Sequence, residues 1–220
     1  MKKFILVGLM SLLFVNSSFA NEPSAHVKQI SADEAFNRLI DGNKRFVKLK
    51  LMHPDESNKR RHELASGQHP IAIVLSCSDS RVPPELLFDQ GLGDLFIIRD
   101  AGNVADDVVI GSLEYAAGHL NVPLVIVLGH EKCGAVTAAV DGHADSEHIE
   151  KILDQIKPAV ITAKKEQGDL IDNTVRENVK YVVDEIKNSN PVLAKKYKNG
   201  ELKVVGAYYH LEDGKVELLK

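Results

Sequence analysis

Five stretches of this chain read as β-strands, and their apolar pattern says what kind of sheet they make. Residues 71–76, 95–99 and 124–128 are aliphatic runs with little polar alternation. Such runs fit strands buried on both faces, as in a parallel sheet covered by helices. Residues 202–209 make a fourth strand. Glu212-Asp213-Gly214 is a turn signal, after which 215–219 returns as a short antiparallel edge strand. Between the strands the apolar positions take a helical period over 108–119, 149–165 and 172–187. The last of these carries the stripe Val175, Val179, Val182, Ile186. Pro83-Pro84-Glu85 starts a short helix, since Pro is tolerated in a first turn, and Cys133-Gly134-Ala135 opens another. The alternation predicts an α/β fold: a mostly parallel sheet of four strands plus an antiparallel edge strand, flanked by helices.

Ahead of the sheet, Ser31-Ala32-Asp33-Glu34 is a capping box. Phe36, Leu39, Ile40, Asn43, Phe46 and Val47 then recur at helical spacing and predict a helical arm over about 31–50. Gly42 interrupts it at a cost of about 1 kcal/mol relative to Ala. Residues 53–68 are polar and basic around Lys59-Arg60-Arg61-His62 and read as a solvated helix, ended by Gly67 and Pro70. No repeat, low-complexity tract or linker follows Ile30, so 31–220 is expected to be one domain, long enough to bury a core.

The first residues change the picture of where the chain works. Lys2-Lys3, the apolar segment 4–15 and Asn16-Ser17-Ser18-Phe19-Ala20 read as a signal peptide cleaved after Ala20. The apolar segment falls short of the roughly 20 residues a spanning helix needs. The expectation is a periplasmic or secreted protein, with 21–30 a flexible lead and no membrane attachment after cleavage. The whole chain has 27 Lys+Arg and 31 Asp+Glu, a formal net charge of −4. Loss of Lys2 and Lys3 leaves 25 − 31 = −6. That balance, without a basic block interleaved with aromatics, argues against nucleic acid as a partner.

Chemistry-bearing residues gather where two strands end. Ser76-Cys77-Ser78-Asp79-Ser80-Arg81 follows the first strand, and Gly129-His130-Glu131-Lys132-Cys133-Gly134 follows the third. Ligands of open α/β sheets bind at the carboxyl ends of strands. Cys and His are ligands that Zn²⁺ takes in tetrahedral sites, so Cys77, His130 and Cys133 are candidate metal ligands. Asp79 is either a fourth ligand or a neighbour that leaves the fourth position to water. These are the chain's two cysteines, and in an exported protein a Cys77–Cys133 disulfide rivals the metal reading. His143 and His148 lie by a polar loop, 141–147, and read as solvated.

The paired motifs Cys77-Ser78-Asp79-Ser80-Arg81-Val82-Pro83 and Gly129-His130-Glu131-Lys132-Cys133-Gly134 resemble those of the β-class carbonic anhydrases. The likeness runs from about Ser31 to Leu219. It implies one zinc per chain on Cys77, His130 and Cys133, with Asp79 and Arg81 as a catalytic pair. Zinc there lowers the pKa of a bound water to about 7 and so supplies hydroxide to CO₂. Asp79 turned toward Arg81 leaves the fourth position to water, whereas Asp79 on the metal closes the site. The plant-type branch of the family has a Gln nine residues before the first Cys, a Phe nineteen after it and a Tyr fifteen before the ligand His. Those offsets fall on Gln68, Phe96 and Tyr115, and the residue after the last Cys is Gly134. The resemblance makes these four the substrate pocket for CO₂ and bicarbonate. The other branch uses a Trp-lined site that switches the enzyme off; this chain has no Trp, so the open form is expected. The family also implies a homodimer or dimer of dimers, with the 31–50 arm laid over a partner subunit. A relative that hydrolyses CS₂ or COS on the same ligands, and a non-catalytic zinc or redox domain, are the alternatives.

Overall fold

The computed structural model of the chain describes residues 30–189 and 191–219. The expected signal peptide and the lead up to residue 29 lie outside them. Five strands form one sheet: β1 (Ala72–Cys77), β2 (Leu95–Asp100), β3 (Leu124–His130), β4 (Lys203–Tyr209) and β5 (Val216–Leu219). Their order is β2-β1-β3-β4-β5. The first four are parallel and β5 runs antiparallel to β4, which is the sheet the sequence predicts. β1 and β3 are buried at every residue, which explains aliphatic runs without alternation.

Alternate residues of the central strands feed two cores. Ile73, Leu75, Val125 and Val127 meet Leu113, Val179, Val182 and Ile186 on one face. Ala72, Val74, Ile126 and Leu128 meet Ala35, Leu39, Leu87 and Phe88 on the other. The helices include α1 (Ala32–Val47), α2 (Asn58–Leu64), α3 (Pro84–Leu87) and α4 (Asp107–Glu114). They continue with α5 (Gly134–Asp141), α6 (Glu147–Ala163), α7 (Leu170–Asn188) and α8 (Leu193–Lys198). α7 lies on β3 and β4. It comes close because Gly129 and Gly206 face it: a Cβ on Gly129 would stand 2.6 Å from Val179 Cγ2, and one on Gly206 2.8 Å from Val179 Cγ1.

Several boundaries differ from those the sequence predicts. β1, β2 and β3 each run one or two residues further, to Cys77, Asp100 and His130. Two of the candidate ligands are therefore strand residues, held by the ladder and not by loops. The helix expected over 108–119 is α-helical only to Glu114 and continues as a π-helical turn, Tyr115–His119. Its start is fixed by Asp106, whose carboxylate accepts from the Val108 and Val109 amides. α8 is not anticipated by the pattern, because it has one short turn of apolar contacts, Leu193 and Ala194, and no capping side chain.

Ser31 caps α1 as expected. The helix packs on α3, β1 and β3 of its own chain, with Ala35 and Leu39 fully buried. Phe36, Ile40, Phe46 and Val47 of its stripe stay half-buried. Asn43 pins it further: Nδ2 donates to Leu87 O (3.2 Å) and Gly214 O (2.9 Å), and Oδ1 accepts from Val216 N (3.0 Å). Gly42 is the point of closest approach, since a Cβ there would stand 1.7 Å from Phe88 O. The helix-propensity cost of Gly42 is therefore outweighed by the contact it permits. Gly42→Ala would gain about 1 kcal/mol in helix propensity yet must push α1 off α3. The expected net effect is a loss of roughly 1–3 kcal/mol, the range for overpacking, read as a lower urea midpoint; an unchanged or higher midpoint contradicts this packing.

Candidate metal centre

β1 and β3 are neighbours, run the same way and end at the same edge of the sheet. Cys77 is the last residue of β1 and His130 the last of β3. The chain then turns at Lys132, whose φ is +54, and delivers Cys133 as the residue preceding α5. The three side chains converge: their ligand atoms all lie within 4.8 Å of one another, and all three residues are buried. Among the described residues this is the one such group. His143 lies instead beside Asp145, 3.1 Å away in an exposed loop.

The donor set fits zinc. The sulfurs of Cys77 and Cys133 are free and 4.0 Å apart, whereas a disulfide requires about 2.05 Å. Two thiolates at the corners of a zinc tetrahedron stand roughly 3.8 Å apart for bonds of about 2.3 Å. His130 Nδ1 lies 2.8 Å from Glu131 O. Donation to that carbonyl leaves a lone pair on Nε2, which is buried with no hydrogen-bond partner. An unpartnered polar atom in a dry site is costly unless something binds it.

The thiols point the same way. Hydrogen bonding from Cys133 holds the Cys77 thiol well below its ordinary pKa against the opposing effect of burial, with help from His130 and the Gly102 amide. The Gly102 N–H donates to Cys77 Sγ at 3.3 Å. The Cys77 neighbour and burial push Cys133 up. Two adjacent buried thiols resist carrying two charges on their own, and a bound dication removes that conflict.

Asp79 and Arg81 stand at the mouth of this group. Arg81 grips the carboxylate with two parallel bonds, Nε to Oδ1 (2.9 Å) and Nη2 to Oδ2 (2.7 Å), and its backbone N–H also donates to Oδ1. The Arg81 guanidinium holds the Asp79 carboxyl down to about 2, although burial opposes it. Oδ2 remains 3.9 Å from His130 Nε2. Arg99, which the sequence pattern did not mark, ties the turn down: Nε donates to Cys77 O (3.1 Å) and Nη2 to Asp79 O (2.7 Å). Its signal was an Arg-Asp pair ending an apolar strand. Asp100, the second member, is pushed up to about 7 by burial, against the Val104 amide and with Cys77 adding to the rise.

Gly134 opens α5 directly beside Cys133, and a Cβ there would meet nothing within 4 Å. The other three residues of the expected pocket are elsewhere in the chain. Phe96 pairs with Ile73, four residues before Cys77, which places it about 13 Å down the strand at 3.3 Å per residue. Tyr115 accompanies it, with ring centroids 6.2 Å apart. Gln68 is exposed in the segment that enters β1 at its far end. Parallel pairing thus keeps Gln68, Phe96 and Tyr115 away from the Cys77 of the same chain.

The profile of the carbonic anhydrase family matches residues 72–216. The chain belongs to the carbonic anhydrase family. A carbonic anhydrase of Mycolicibacterium smegmatis is 40% identical over 188 residues, which cover 84% of this chain and 91% of that protein. The β-carbonic anhydrase CcaA superposes with a TM-score of 0.67 at 29% identity, over 84% of this chain and 95% of that one. A tetrameric β-carbonic anhydrase from Sordaria macrospora shares the fold, with a TM-score of 0.68 at 23% identity over 84% and 96% of the two chains. The β-class placement agrees with the Cys–His–Cys ligand set at the strand edge.

Proposed function

We infer that the chain is a zinc-dependent carbonic anhydrase that interconverts CO₂ and bicarbonate with release of a proton. The observation that carries this is the buried Cys77–His130–Cys133 group with a carboxylate locked beside it. Zinc held by these three residues supplies a water acidic enough to ionise near neutral pH. Asp79, beside His130, would accept a hydrogen bond from the attacking water and orient it toward CO₂. Arg81 and Arg99 fix the carboxylate for this role, one by its side chain and one through the backbone of the turn. With both oxygens engaged by Arg81, Asp79 would be held off a metal on Cys77, His130 and Cys133.

The substrate pocket is completed by a second copy of the chain. Among the described residues β2 is an edge strand with no partner on its outer side, and Tyr115 beside it is 48% exposed. Gln68, Phe96 and Tyr115 reach a metal centre if they belong to the partner's, so the working unit is a homodimer or a pair of dimers. The enzyme is exported: residues 1–20 direct it across a membrane and are removed, so it acts in the periplasm or outside the cell. Among the described residues no helix is long and apolar enough to cross a membrane.

Three outcomes test this reading. Asp79→Ala is expected to keep its zinc and lose about 10²-fold or more in stopped-flow CO₂ hydration, the scale of general acid–base contributions; full activity removes Asp79 from the mechanism, and hydrolysis of CS₂ or COS by a chain inert to CO₂ moves it to another chemistry. Cys77→Ala and Gln68→Ala chains, each weak alone, are expected to regain activity when mixed, since a mixed dimer has one intact site; no recovery places Gln68 in its own chain's site or in none. The protein recovered from the cell exterior is expected to begin at Asn21 by mass spectrometry, and a mature chain that retains Met1 contradicts export by cleavage.

A further inference from the structure

Asn178 is a buried amide on a mostly apolar helix face. It stands beside Val175, Val179 and Val182 on α7, and it is 1% exposed. Its Nδ2 donates to Gly102 O at 2.9 Å, 76 residues away. Its Oδ1 has no partner. An amide placed so is more costly than Leu unless its one bond serves a purpose.

The bond lands on the residue that touches the metal site. Gly102 has φ +84, and its N–H donates to Cys77 Sγ at 3.3 Å. Only Gly is comfortable there: a Cβ would stand 2.8 Å from Ile156 Cδ1 and 3.2 Å from Ala135 Cβ. The loop has an anchor on each side of it. Asp100 O accepts from Ser78 N (2.7 Å), and Asp100 Oδ1 accepts from Val104 N (2.8 Å). Asn178 fixes the carbonyl in between. Its helix cannot slide, because Val175 and Val179 are pressed against Gly129, the residue before ligand His130. One helix therefore sets both the strand that carries His130 and the amide that faces Cys77.

We propose that Asn178 is a positioning residue for the metal centre: by pinning Gly102 O it aims the Gly102 N–H at the Cys77 sulfur and so tunes how tightly that thiolate holds zinc. Partners that hydrogen-bond to metal ligands set ligand basicity and orientation, and their loss costs about 10–100-fold in metal affinity. The inference rests on the zinc reading above and adds a residue to it.

The test compares Asn178→Leu and Asn178→Asp with Thr174→Val. Thr174 is equally buried one turn earlier, but its hydroxyl donates only to Leu170 O of its own helix. Zinc affinity is measured by chelator competition on the full chain, and the thiolate-to-metal charge-transfer band by cobalt substitution. Both Asn178 variants are expected to lose about 10-fold or more in zinc affinity and to move the band to longer wavelength, as a sulfur that loses a donor rises in energy. Thr174→Val is expected to move neither. If Asn178→Leu does not fold, the same-sized Asn178→Asp decides. Folded Asn178 variants with wild-type affinity and an unmoved band overturn the inference, as does an equal effect of Thr174→Val. A readout without variants is NMR of the cadmium-loaded wild-type chain, where the Gly102 amide proton must couple to the metal through Cys77 Sγ; absence of that coupling also overturns it. A wild-type chain that takes no metal sinks the zinc reading, whereas equal binding by wild type and variants sinks this inference alone.

Discussion

Two sulfurs and an imidazole nitrogen, all buried and within 4.8 Å of one another, are the constraint on which this structure depends. Among the described residues His130 Nε2 has no hydrogen-bond partner, and a charge on Cys77 raises the cost of ionising Cys133. A divalent cation answers both demands at once, which makes metal and fold parts of one equilibrium. The parallel sheet makes the arrangement possible, because adjacent strands running one way bring their ends to the same edge.

Around that centre the scaffold spends its close contacts on position. Gly129 and Gly206 admit α7 to the sheet, and Gly42 admits α1 to α3. Arg81 and Arg99 converge on the backbone carbonyls of Cys77 and Asp79 and on the Asp79 carboxylate. The result is a carboxylate with both oxygens bound, close to the metal ligands but turned away from them. Sites on strand ends are more precise than sites on loops, and here β1 and β3 extend to the ligands themselves.

Much of this was legible in the sequence, for identifiable reasons. Aliphatic runs without alternation marked the buried strands, and two short motifs marked the ligands, because those signals are local. What escaped was set by tertiary packing. Gly42 reads as a helix flaw until Phe88 O is seen beside it. Asn178 hides in the stripe of α7, where the signal was a polar residue among valines. Gln68, Phe96 and Tyr115 can be aligned by offset, but offset does not show that Phe96 lies down the strand from the Cys77 of its own chain; the register of β1 on β2 does. The π-helical turn at Tyr115–His119 and the short α8 have no periodicity long enough to read.

The most direct measurement is X-ray absorption at the zinc edge on the purified full-length chain, with metal and free thiols counted on the same sample. The account predicts one zinc per chain with two sulfur ligands, one imidazole and a light-atom fourth ligand from solvent, and both cysteines unpaired once the metal is removed. A folded chain without zinc whose Cys77 and Cys133 are joined in a disulfide, and which takes up no metal after reduction, would contradict it.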